Sequence, residues 1–145
     1  MRINDLIVQA HTNAVDHGWW DNPKTMGELL ALIHSEVSEA LEEHRNGKGP
    51  NETYYSCKSK SCGTDFIHLG GEEIFTSAVQ GVNFTDAVNE VIQANKPEGI
   101  PSELADIVIR VADLCGYYGI DLEAAITEKM EYNKSRPYKH GNKVI

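Results

Sequence analysis

At 145 residues, with 41% hydrophobic and 24% charged residues, the chain fits one folded domain and excludes wholesale disorder. A net charge of -9 argues against undirected binding to a nucleic-acid polymer or an anionic membrane, and no apolar run is long enough to span one. The N-terminus lacks a signal peptide's continuous apolar region. Three cysteines, Cys57, Cys62 and Cys115, suit a reducing compartment, so a cytoplasmic location is expected.

In chain order, Ile3, Leu6, Ile7, Ala10 and Ala14 recur at helical spacing, and Gly18 supplies a left-handed stop. Trp19, Trp20, Asp21, Asn22 and Pro23 make a turn. Thr25 and Glu28 form a capping box, which predicts a helix from Met26 to Asn46, closed by Gly47. The stretch from 48 to 100 reads as a long irregular insertion, with a short hairpin around Thr53, Tyr54 and Tyr55. Weak helical patterns follow at Glu72 to Val79 and Thr85 to Asn95. Pro101 suits the first turn of a further helix that ends near Gly119. Asp121 is an N-cap for a last helix from Leu122 to Ser135. The expected architecture is an all-α, four- to five-helix bundle-like single domain over residues 1 to 145.

Two helices carry acids in a shared pattern. With successive residues turned by about 100°, Glu39 and Glu43 fall within about 60° of Glu36. Leu30, Ile33, Val37 and Leu41 then occupy an arc about 60° to 140° to one side, the width of a buried face, so the acids border the core. On the later helix Glu103, Asp106, Arg110, Asp113 and Tyr117 share a stripe of about 80°, flanked by Leu104, Ile107, Val111, Leu114 and Cys115. If the apolar faces pack antiparallel, the two carboxylate pairs converge. Like charges about 4 Å apart repel by roughly 4 kcal/mol at an effective dielectric of 20. Such a cluster requires a counter-charge, and all-oxygen ligands favour Mg²⁺ or Mn²⁺. A lone ExxE is otherwise a solvated face; the matched second pair is what points to a metal.

The combination of SEVSEALEE at 35–43, SELADIVIRVADLCGYYGIDL at 102–122 and EKMEYNKSRPYKHG at 128–141 resembles the MazG-like, all-α nucleoside triphosphate pyrophosphohydrolases. The resemblance implies that Glu36, Glu39, Glu103 and Asp106 ligate Mg²⁺. It also implies that a nucleoside triphosphate is cut between its α and β phosphates, and that the protein is a homodimer or homotetramer. Two departures stand out: Ser35 replaces the first Glu of the signature, and the spacer from Glu39 to Glu103 is long. With the family's chemistry, Glu39 or Glu36 would orient the attacking water. Lys129, Asn133, Arg136 and Lys139, with Lys134, would bind phosphates; a basic helix end favoured by the dipole explains the same charges. Trp19, Trp20 and Tyr117 are candidates for the base or sugar, one tryptophan stacking and the other packing. Arg110 is expected to pair with Asp106 or Asp113.

Cys57 and Cys62 with His68 fall short of a four-ligand zinc site. A di-iron bundle lacks its Glu-x-x-His pairs. The alternative to an enzyme is a non-catalytic helical module that binds nucleotide or metal and acts through its insertion. Ser35 is the residue that favours it.

Overall fold

The computed structural model describes residues 1–56, 66–69 and 96–137. Most of them are helical: α1 is Ile3–Asp16, α2 Met26–Arg45, α3 Ile100–Tyr118 and α4 Leu122–Ser135. The expected helices at 72–79 and 85–95, the Cys57 and Cys62 pair, and Lys139 lie outside the described residues. None of the described helices is long and apolar enough to cross a membrane.

Local signals set the helix ends. Thr25 N–H donates to Glu28 Oε2 at 2.7 Å and Glu28 N–H to Thr25 Oγ1 at 3.3 Å, the reciprocal capping box. That bonding holds the Glu28 carboxyl below its ordinary value, the Thr25 backbone donor contributing most. At the other end of α2, Gly47 has φ 80° and Lys48 N–H reaches back to the Glu43 carbonyl at 3.0 Å. α1 closes similarly at Gly18, and α3 at Gly119. Asp121 Oδ1 caps α4 by accepting from Ala124 N–H at 3.0 Å.

The segment between α2 and α3 contains strands as well as irregular chain. Strands β1 (Thr53–Ser56), β2 (Phe66–Leu69) and β3 (Pro97–Glu98) form an antiparallel sheet in the order β2-β1-β3. Tyr54 pairs with both His68 and Glu98, so β1 is the central strand. Gly99 follows, with φ 106°; a Cβ there would lie 2.3 Å from the Glu52 carbonyl oxygen. The return strand leads directly into α3.

The chain divides into two compact units, Met1–Leu29 with Ile109–Ile145, and Leu30–Val108. In the first, α1 packs on α4, and Ala10, Leu29, Ala112, Leu114 and Cys115 are buried. Cys115 is therefore the small core residue expected of it. In the second, the most buried described side chains are Tyr54, Glu36 and Glu103.

This corrects the helical-wheel expectation. On α2 the acids do not border a buried apolar arc: Glu36 is only 4% exposed while Val37 is 46% exposed. Leu30 and Leu41 are exposed as well; on α3 Leu104 is 52% exposed, whereas Leu114 and Cys115 further along the expected arc are buried. Within this unit the inward face of each helix is centred on its first acid.

Candidate metal centre

Among the described residues one group of acids is close enough to share a cation. Oxygens of Glu36 on α2 and of Glu103 and Asp106 on α3 all lie within 4.8 Å of one another. The spacing follows from the helices: Glu103 and Asp106 are one turn apart on a single face, and Glu36 meets them from the neighbouring helix. Glu103 is 5% exposed, and its Oε2 is buried without a hydrogen-bond partner. Burial pushes its carboxyl above its ordinary value; Lys96 opposes this, and Glu39, Asp106 and Glu36 add to it.

Lys96 faces these acids. Its Nζ is 3.8 Å from Glu103 Oε1 and 3.7 Å from Asp106 Oδ2. Burial pulls the ammonium down, but Glu103, Asp106, Glu39 and Glu36 together hold it above its ordinary value. Glu39 is thus near enough to act on both Lys96 and Glu103, yet it is exposed and outside the group of three. Ser35 is exposed too, its hydroxyl donating to the Leu32 carbonyl at 2.7 Å. One turn beyond Glu39, Glu43 accepts from the Tyr54 hydroxyl at 3.0 Å, while its Oε2 is buried and unpartnered. Burial first, and then Glu43, pushes the Tyr54 phenol far above its ordinary value.

Three oxygen ligands on two helices, with a buried oxygen lacking any donor, are the chemistry of a hard divalent cation. The residues would fit Mg²⁺ or Mn²⁺.

The aromatic candidates belong to the other unit. Trp20 stacks on Tyr117 with ring centroids 3.9 Å apart and planes 6° from parallel. Its indole N–H donates to Asp113 Oδ1 at 2.9 Å, and His11 Nδ1 meets the same oxygen at 2.7 Å. Gly116 permits this packing, since a Cβ there would come 2.6 Å from that of His11. Trp19 is the more exposed indole; Lys24 Nζ sits 4.2 Å and the Arg110 guanidinium 5.3 Å from its ring centroid. On α4, Lys129, Asn133 and Lys134 are exposed, and Lys129 and Arg136 both lie over Tyr132.

Sequence reading missed Lys96, Tyr54 and His11. His11 continues the Ile3, Ile7 row at i+4, a signal that helical spacing does contain. Lys96 and Tyr54 lie outside the helices that carry the acids, so no helical period relates them to the site.

Compared with known proteins, the chain matches no family model, no curated protein and no solved structure.

Proposed function

We propose that the chain is a Mg²⁺-dependent nucleoside triphosphate pyrophosphohydrolase that releases the monophosphate and pyrophosphate, serving to clean or control a nucleotide pool. The observation that carries this is the convergence of Glu36, Glu103 and Asp106 around an unpartnered buried carboxylate oxygen. When bound, the cation supplies neutralisation of polyphosphate charge and a Lewis acid at phosphorus.

In this reading Glu36, Glu103 and Asp106 would hold the cation. Glu39, exposed beside them, completes the set and orients the attacking water, accepting its proton. Water oxygen bonds to the α phosphorus as the bond to the α–β bridging oxygen breaks, and pyrophosphate departs. Lys129, Asn133, Arg136 and Lys139 are assigned to phosphate, and Trp19, Trp20 and Tyr117 to base and sugar. These assignments rest on the resemblance and are tested through KM.

The exposed Leu30, Val37 and Leu41 of α2 and Leu104 and Val108 of α3 support a homodimer or homotetramer, in which a second copy covers them. Light scattering on the purified protein tests this directly. A monomer at micromolar concentration sinks that part of the proposal.

Purified protein with Mg²⁺ and a panel of ribo- and deoxyribonucleoside triphosphates tests the activity. Monophosphate and pyrophosphate are expected. Diphosphate with inorganic phosphate would mean a different bond is cut, and no turnover of any substrate would favour the second reading. That reading, a helical nucleotide- or metal-binding module without catalysis, draws on Ser35, whose hydroxyl is engaged by its own helix.

A further inference from the structure

We propose that Lys96 is the built-in counter-cation of the carboxylate cluster, and that its ammonium competes with the divalent ion for Glu36, Glu103 and Asp106. The inference rests on the metal-centre reading and concerns how that centre is regulated.

The geometry is that of a charge held among acids, not of a fixed hydrogen bond. Lys96 Nζ lies between Glu103 and Asp106 at 3.8 and 3.7 Å, beyond good hydrogen-bond distance from either. One oxygen of Glu103 is turned to this ammonium, while the other is buried with no partner. This ammonium thus stands against two of the three clustered acids.

A divalent ion takes carboxylate oxygens at roughly 2.0 to 2.6 Å. An ammonium left within about 4 Å of that ion is repelled strongly even at an effective dielectric of 20. Both cations draw on the same carboxylates, Glu103 and Asp106, so each weakens the other's hold on the cluster. Lys96 is free to yield, because its side chain is 58% exposed and ends a flexible four-carbon stem. Its backbone does not leave with it. Pro97, the next residue, pairs with Tyr55 in the sheet, and Ser102 Oγ donates to the Pro97 carbonyl at 2.8 Å. The ammonium is thus tethered beside the site at high effective concentration. Metal entry exchanges an intramolecular cation for an external one, and the apparent affinity is lowered by the fraction of time Lys96 occupies the cluster.

Nucleotide-free Mn²⁺ titration followed by electron paramagnetic resonance tests this on wild type, Lys96→Gln, Lys96→Met and Lys96→Arg, together with thermal melts without and with Mn²⁺. Removing the charge in Lys96→Gln or Lys96→Met should tighten Mn²⁺ binding about tenfold and lower the melting temperature of the metal-free protein. Lys96→Arg, which keeps the charge, should stay near wild type. If wild type binds Mn²⁺ and the neutral variants bind it equally or more weakly, the competition is overturned while the metal centre stands. A simple surface ion pair, or a lysine that serves only phosphate, predicts that outcome. If no variant and no wild type binds Mn²⁺, the metal centre and the competition fall together.

Discussion

The Tyr54 hydroxyl donates to Glu43 Oε1 across 3.0 Å, joining β1 to the helix that carries Glu36. Glu43 is half-buried and its Oε2 has no partner, so the Tyr54 hydroxyl matters to this carboxylate. Tyr54→Phe removes the donor and keeps the ring. Stranding a buried acceptor costs about 1–3 kcal/mol, and urea unfolding should register a loss of that size. An unchanged midpoint would mean that the contact contributes nothing to holding β1.

Glu28 gives the stability a defined response to acid. Its carboxyl lies below the ordinary 4.5 in the folded chain, chiefly through the Thr25 backbone donor. A depressed folded value means the ionised form stabilises the fold. That contribution is complete above the unfolded value and disappears as pH falls through the folded one. Glu28→Ala should therefore melt below wild type at pH 7, with the gap closing below pH 4.5. A gap that stays constant into acid would assign the effect to helix propensity alone.

Glu103 should behave in the opposite sense. An ionised carboxylate that is 5% exposed, with one oxygen unpartnered and two acids within 4.8 Å, destabilises the metal-free fold. Glu103→Gln removes the charge, and an amide nitrogen can donate to the neighbouring oxygens. Calorimetry on metal-free protein at pH 7 should show a rise of roughly 3 °C, in line with about 1 kcal/mol at this chain length. Added Mn²⁺ should raise the melting temperature of wild type and leave the variant unmoved. A variant less stable than wild type would show that Lys96 and Glu103 contribute more together than the crowded acids cost.

These outcomes separate what local sequence encodes from what it does not. Thr25 with Glu28, Gly47, Gly119 and Asp121 act within one turn of their own positions, and each sits where its chemistry predicts. The i, i+3 spacing of Glu103 and Asp106 likewise needs only a helix, and Glu36 joins them from the next one. The inner face was misread because hydrophobicity alone assigns Leu30, Val37 and Leu41 to the core. That rule fails where a helix turns a carboxylate inward and leaves its apolar arc exposed. Lys96 was illegible for another reason. It lies ahead of β3 and outside the helix that carries Glu103, so no helical period relates the two.

Glu36 and Glu39 differ by one helical turn and by burial, and in the proposed reaction this gives Glu36 the larger share in holding the cation and Glu39 the proton. Glu36 is 4% exposed and belongs to the group of three; Glu39 is exposed and acts on that group through charge. Glu36→Gln should weaken Mn²⁺ binding severely and lose activity for that reason. Glu39→Gln should keep the fold and bind Mn²⁺ better than Glu36→Gln does, while kcat falls by about 10²–10⁴. Paired titrations and turnover assays on the two variants decide the matter. Wild-type turnover by Glu39→Gln would remove Glu39 from the reaction, and equal Mn²⁺ loss in both would make it a ligand no different from Glu36.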